Sequence, residues 1–117
     1  MTELIATGRP QADLGVVELQ GILDGRGDAP LSTAYTDAVA LDSPVVLLDF
    51  GGVEYINSTG IALIVGLLGR ARSESREIRV CGLTDHYRHI FEITRLADFM
   101  TFFATQAEAA GGAVEPA

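Results

Sequence analysis

The sequence lacks lysine and tryptophan and has a single cysteine, and these absences exclude several kinds of site. Without lysine, neither a P-loop lysine nor a Schiff-base lysine can exist. The one cysteine, Cys81, excludes an intrachain disulfide and a cysteine-based zinc site. The two histidines, His86 and His89, are too few for a typical zinc site. We therefore expect no metal site and no chemistry that depends on lysine.

Positive charge is also scarce. Lysine and arginine together number 8, all of them arginine, against 16 acidic residues, so the net charge at pH 7 is −8. Nonspecific nucleic-acid binding needs a cationic surface, so we expect no direct nucleic-acid partner. The longest apolar run, residues 61–69, is too short to span a membrane, and residues 1–10 do not resemble a secretory signal. We expect a cytoplasmic protein that does not contact a membrane.

The length and composition suit one folded unit. The chain has 117 residues, of which 48% are hydrophobic, so it can bury a single core. We predict one domain over residues 1–110 and a flexible tail over 111–117, where small residues and a proline follow the last helical pattern.

Strand and helix patterns alternate along the chain. The uninterrupted apolar run Val45-Val46-Leu47-Leu48 predicts a strand that is buried on both faces and ends at Gly51-Gly52, before an extended loop. The class predicted is α/β, with a mostly parallel sheet behind an N-terminal hairpin and about four helices. The predicted strands are 3–6, 16–19, 45–50, 78–81 and 98–103, the hairpin connection contains Gly8, Pro10 and Gly15, and the predicted helices are 28–41, 57–73, 84–94 and 105–110.

The segment with the most chemical content is the predicted junction between a loop and the second long helix. Asn57, Ser58 and Thr59 are all residues that cap helix N-termini. The free N–H groups of a first helical turn attract anions, so a hydroxyl at that point is well placed to carry a phosphate. Sites in parallel sheets lie at the carboxyl ends of strands, which also makes Asp24 and Asp49 candidates.

The run Asp49-Phe-Gly-Gly-Val-Glu-Tyr-Ile-Asn-Ser-Thr-Gly-Ile-Ala-Leu63 resembles the signature of the STAS domain family of bacterial anti-sigma-factor antagonists. The resemblance includes Leu19-Gln-Gly-Ile-Leu-Asp24 after the early strand, and it extends over roughly residues 4–108. It implies a STAS-like fold and a regulator that binds protein partners, with no enzymatic activity and no cofactor.

The resemblance also implies roles for individual residues. Ser58 takes the place of the family's phosphoacceptor, with Thr59 as the second candidate, and Asp24 matches an acidic residue near the same surface. The implied partner is an anti-sigma factor that is also a serine kinase; phosphorylation blocks binding, and the unphosphorylated domain frees a sigma factor. Asn57 is a departure, because well-known members have aspartate there, and asparagine keeps the capping geometry without the charge.

The helix after Ser58 has apolar residues on two sides. A step of about 100° per residue predicts that the sheet side of this helix carries Ile61, Ile64, Val65 and Leu68. The other side carries Leu63, Gly66, Leu67 and Arg70, and on it Leu63 and Leu67 are predicted to form an exposed docking face. The complete predicted set of partner-binding residues is Asp24, Tyr55, Ile56, Asn57, Thr59, Gly60, Leu63 and Leu67.

Two other functions fit the same residues. The chain could be a scaffold subunit of a larger signalling assembly, with other STAS proteins as permanent partners. It could also be a nucleotide-sensing STAS module that uses the crevice at the strand ends. An oligomer at low protein concentration would favour the first, and thermal stabilisation by ATP or GTP would favour the second.

Overall fold

Five strands and four α-helices make up the fold in a computed structural model that describes residues 3–111. Residues 112–117 of the predicted tail lie outside the described residues. The strands are β1 (Ile5–Gln11), β2 (Leu14–Leu23), β3 (Val45–Ile56), β4 (Glu77–Cys81) and β5 (Thr101–Phe103). The helices are α1 (Asp28–Ala38), α2 (Ser58–Ser73), α3 (Asp85–Ile93) and α4 (Gln106–Ala110), with short 3₁₀ helices at Gly25–Gly27 and Leu96–Phe99.

The strands form one sheet in the order β1-β2-β3-β4-β5, in which only the β1–β2 pair is antiparallel. The α/β class and the N-terminal hairpin are therefore confirmed. The predicted hairpin connection was wrong, because Gly8, Pro10 and Gly15 lie within the strands and Ala12-Asp13 makes the turn. Proline is tolerated on β1 because β1 is an edge strand. Glycine at position 8 lets α1 lie directly on the strand, since a Cβ there would be 1.7 Å from the carbonyl oxygen of Ala34.

The apolar run in β3 is central, as predicted. Val46, Leu47 and Leu48 have no exposed surface, and β3 lies between β2 and β4. The predicted end of this strand at Gly51-Gly52 was wrong, because β3 continues to Ile56. Pairing with β2 continues through Gly52, with register shifts that accommodate the glycines.

Helix boundaries differ from the sequence prediction by a few residues. The sequence Asp28-Ala29-Pro30 predicts Asp28 as the N-cap of α1, but Asp28 is the first residue of the helix. The helix ends at Ala38 instead of residue 41, which leaves Leu41 exposed. Thr84 caps α3 by accepting a hydrogen bond from the N–H of Tyr87. The predicted last strand is shorter than expected, because residues 98 and 99 belong to a 3₁₀ helix that precedes β5.

The sheet separates two apolar clusters of different size. The larger cluster packs α1, α2 and α3 against one face, where Val46, Leu48 and Phe50 point. The alternate residue Leu47 points to the other face, where α4 covers a small cluster through Ala109. No helix of residues 3–111 is both long and apolar enough to cross a bilayer.

Cys81 belongs to the smaller cluster and is expected to be chemically inert in the native state. Burial raises the pKa of its thiol to about 12, and the neighbouring Asp49 carboxylate adds to the shift. Since the thiolate is the reactive form, labelling by a disulfide reagent at pH 8 should follow unfolding. We expect native labelling to be at least about a thousandfold slower than labelling in urea. Rapid labelling of the folded protein would show that α4 opens freely.

Candidate functional site

The carboxyl ends of β2 and β3 meet the N-terminus of α2 at one edge of the sheet. Leu23 pairs with Ile56, and the backbone N–H of Asn57 donates to the carbonyl oxygen of Leu23 at 3.2 Å. Asn57 has extended backbone angles and caps α2, because its Oδ1 accepts from the N–H of Gly60 at 2.8 Å. The chain therefore turns from β3 into α2 with no intervening loop beyond Asn57.

Ser58 is the first residue of α2 and is exposed. Because Asn57 caps the helix, the Ser58 hydroxyl is not needed for that purpose, and within residues 3–111 it makes no protein hydrogen bond. The N–H groups of a first helical turn have no acceptor inside the helix and carry a partial positive charge. The hydroxyl is thus accessible, and a phosphate on it would lie where the helix favours an anion.

The turn after β2 borders the N-terminus of α2. A Cβ on Gly25 would lie 3.1 Å from Cγ2 of Thr59, so the Thr59 methyl group packs beside this turn. Thr59 is exposed, like Ser58, but its side chain is partly committed to this contact. Glycine at position 25 leaves room for the threonine.

Asp24 lies in the same turn and is paired with Arg26. The guanidinium of Arg26 donates to both carboxylate oxygens of Asp24, at 2.9 Å to Oδ2, and the Arg26 backbone N–H donates to Oδ1 at 3.0 Å. The side-chain hydrogen bonds from Arg26, followed by the backbone one, hold the pKa of Asp24 below its ordinary value. Arg26 also contacts Glu3 at 3.2 Å.

Arg26 was not among the residues predicted for this surface. The available signal was the spacing Asp24-Gly-Arg26, which allows a turn to bring the two side chains together. Its consequence is that the acidic residue expected near Ser58 carries a neutralising partner.

The predicted contact residues beside the junction divide into exposed and buried ones. Tyr55 is exposed, with 53% of its surface accessible. Ile56 is buried, and its backbone N–H donates to the hydroxyl of Tyr87 at 3.0 Å. Gly60 is buried because α2 contacts the backbone of Leu23 there. Ile56 and Gly60 therefore hold the junction together and do not present side chains to a partner.

The predicted exposed face of α2 was wrong in its orientation. Leu67 is only 6% exposed and lies in the main core, whereas Val65, predicted to face the sheet, is 47% exposed. Leu63 is half-buried and lines a groove of about 200 Å³ between α1 and α2, with Leu31 on the opposite side. The physical reason is that α2 packs against both the sheet and α1, so its buried arc includes the side toward α1.

Asp49 does not join the site. It lies in the middle of β3 on the face covered by α4, where Gln106 Nε2 donates at 2.9 Å both to Asp49 and to Glu18. The expectation that Asp49 lies at a strand end depended on β3 ending at Gly51, and β3 does not end there.

The cap at Asn57 should be measurable as stability. Asn57→Ala removes the acceptor for the Gly60 N–H and is expected to lower the free energy of unfolding by about 1 kcal/mol. Asn57→Asp keeps an acceptor and adds a charge that the helix N-terminus favours, so it should be at least as stable as the native protein. Urea unfolding checks both. An equal loss in the two variants would contradict the capping role.

Comparison with known proteins agrees with this architecture. Residues 8–102 match the family described as Mlab, STAS domain. A Bordetella bronchiseptica protein described as an anti-sigma factor antagonist, BtrV, is 30% identical over 101 residues, which are 85% of this chain and 84% of that protein.

Solved structures with the same fold include an anti-sigma factor antagonist from Mycobacterium paratuberculosis, with a TM-score of 0.76, 19% identity and 92% of each chain covered. They also include the Bacillus cell fate determinant SpoIIAA in its phosphorylated form, with a TM-score of 0.68 and 17% identity over 92% of this chain and 96% of that one. The chain belongs to the STAS domain family, and its relatives include anti-sigma factor antagonists.

Proposed function

We propose that this protein is an anti-sigma-factor antagonist whose binding to an anti-sigma kinase is switched by phosphorylation of Ser58. The observation that carries the proposal is that capping and accessibility belong to different residues at the start of α2. Asn57 caps the helix, which leaves the hydroxyl of Ser58 exposed and free at a helix N-terminus. A kinase can reach such a hydroxyl, and the helix N-terminus accommodates the resulting phosphate.

Ser58 is a better acceptor than Thr59 in this geometry. The Thr59 methyl group packs beside Gly25, so moving that side chain into a kinase active site would disturb the turn that contains Asp24. Ser58 has no such contact within residues 3–111. Thr59 is the second candidate.

A docking surface for the partner surrounds Ser58. Along the exposed side of α2, Ala62 and Gly66 carry little or no side chain, so a partner backbone could approach the helix closely. The groove between α1 and α2 offers Leu63, and the exposed ring of Tyr55 lies before the junction. Tyrosine is enriched at protein interfaces, and this makes Tyr55 a candidate anchor.

The Asp24–Arg26 pair is part of the same proposal. Arg26 pairs with Asp24 in the turn that touches Thr59, so the repulsion that Asp24 exerts on a phosphate at Ser58 is reduced. The proposed switch requires no catalytic group and no cofactor from the domain itself, because the phosphate comes from ATP bound to the partner. Use of ATP places the proposed exchange in the cytoplasm.

Phosphate transfer tests the proposal directly. The protein is incubated with ATP and a candidate anti-sigma kinase from the same organism, and intact mass is measured. The native protein and Thr59→Ala should each gain one phosphate, and Ser58→Ala should gain none. Because positions 58 and 59 are adjacent and both exposed, the two variants are matched controls. If Thr59→Ala abolished the transfer while Ser58→Ala preserved it, the acceptor would be Thr59.

A further inference from the structure

A second groove lies at the end of α2 that is remote from Ser58. It has a volume of about 600 Å³ and opens between the second half of α2, the 3₁₀ helix Leu96–Phe99 and the first residues of β4 and β5. Such a volume is within the range of roughly 300–1,000 Å³ usual for small-molecule sites. The proposed switch does not use this groove.

The groove is apolar on its floor and its walls. Leu68, Ile78, Leu96 and Met100 form the floor and are otherwise buried. Val65 and Phe99 form the walls and remain 47% and 51% exposed. Large apolar side chains that stay half-exposed around a concavity are typical of a binding site.

One unpaired cation stands at the rim of this groove. Seven of the eight arginines form ion pairs, and Arg72 forms none with the residues of the described range 3–111. Its guanidinium carbon lies 5.3 Å from the centroid of the Phe99 ring, so the charge is held over the groove wall.

The other charged side chains that line the groove are already paired. Glu77 binds Arg79 at 2.8 Å, and Asp98 binds Arg95 at 2.8 Å. Arg76 binds Asp42 and Glu74, each at 2.9 Å. Arg72 is thus the cation that the described residues leave available for an anion from outside.

We propose that this groove binds a small amphiphilic carboxylate, with its apolar chain on the floor residues and its carboxylate on the guanidinium of Arg72. A guanidinium matches a carboxylate in two parallel hydrogen bonds. A groove with one unpaired cation beside an apolar surface is complementary to a ligand that has one anionic group and an apolar chain. A second copy of this chain is a poorer occupant, because two molecules of charge −8 repel each other.

Titration with sodium decanoate, followed by the backbone amide resonances, tests the proposal. Shifts should concentrate at groove residues such as Gly69, Phe99 and Thr101. Arg72→Gln should weaken decanoate binding about fivefold, because one exposed ion pair contributes about that much to affinity. For the same reason decanol, which has no carboxylate, should bind the native protein about fivefold more weakly than decanoate does. Arg88→Gln is the matched control, since Arg88 also lies over a phenylalanine ring, at 4.6 Å from that of Phe102, but pairs with Glu92.

A second variant separates loss of the site from loss of the fold. Apart from the backbone of its own helix, no described residue has an atom within 4 Å of where a Cβ on Gly69 would lie, so Gly69→Leu should fold normally and fill the groove. This variant should lose decanoate binding while its thermal stability is no lower than that of the native protein. The proposal is overturned if decanoate causes no localised resonance shifts, or if Arg72→Gln binds decanoate as tightly as the native protein does. It is also overturned if a second copy of the chain covers the groove in a dimer that Gly69→Leu dissociates.

Discussion

Ser58→Asp is expected to weaken binding to the anti-sigma partner by about a hundredfold or more while leaving the domain folded. The charge is harmless in the free domain, because an acidic residue in the first turn of a helix contributes roughly 0.3–1 kcal/mol in favour of the helix. In the complex the same charge would be removed from water against a surface without a matched cation. An unpaired buried charge costs several kcal/mol, and affinity falls accordingly.

Two variants make this result interpretable. Ser58→Ala should bind the partner with native affinity, and it should continue to do so in the presence of ATP. Ser73→Asp places the same charge on another exposed serine of α2, at the opposite end of the helix, and should leave binding unchanged. Calorimetric titration of the partner with each protein provides the measurement. If neither change at Ser58 alters affinity, the switch fails, and permanent contacts in a scaffold become the better interpretation.

Gly60→Ala should be among the most damaging single-atom changes in the protein, with an expected loss of about 2–4 kcal/mol in the free energy of unfolding. An added Cβ would lie 2.1 Å from the carbonyl oxygen of Leu23 and 3.1 Å from its Cγ. Backbone cannot move aside as a side chain does, so α2 must shift away from β2. That shift would also weaken the bond from the Asn57 N–H to the same oxygen.

Gly69→Ala is the matched control for this change, because it adds the same methyl group to the same helix at a position where no atom of residues 3–111 outside that helix's backbone lies within 4 Å. Alanine is a better helix former than glycine, so a gain of roughly 0.5–1 kcal/mol is expected. Urea unfolding of both variants gives the comparison. A similar small effect at both positions would mean that α2 does not contact β2 as closely as the structure indicates.

The central strand was predictable because four apolar residues in succession suit only an element that is buried on both faces. Its end was not, because Gly51 and Gly52 carry the usual signal for a turn. The pairing of Gly52 with Gln20 explains why the strand continues. A Cβ on Gly52 would lie 3.0 Å from the carbonyl oxygen of Leu19, so these glycines permit close contact between strands. Local sequence does not show which neighbour a glycine will meet.

The orientation of α2 was mispredicted for a geometric reason. Ile64 and Leu68 are buried as predicted, but the buried side also includes Leu67 and Ala71. The centre of the buried side is therefore rotated by about 60° from the predicted centre, which is less than the step of about 100° between successive residues. With apolar residues on both sides of the helix, periodicity alone does not fix such a rotation. The packing of α1 beside α2 decides it.

At the candidate site, the position of the junction between β3 and α2 was predicted correctly, but the hydrogen-bond partners of the side chains around it were not. Asn57 and Ser58 lie at the start of α2 as expected, because capping chemistry is local. The pairing of Asp24 with Arg26 and of Asp49 with Gln106 was not foreseen. The first depends on a tight turn, and the second joins residues that are 57 positions apart in the chain.

The order of the strands in the sheet is also the order of their synthesis. No strand has to enter between two that are already paired, so the sheet can grow outward on the ribosome from its N-terminal hairpin. Each strand pairs with the one made just before it, which keeps loop closures short and favours rapid folding. Four strands are complete at Cys81, and β5, with only three residues, is the last to add. Until β5 adds, β4 has an unpaired edge of the kind that can pair with strands of other chains.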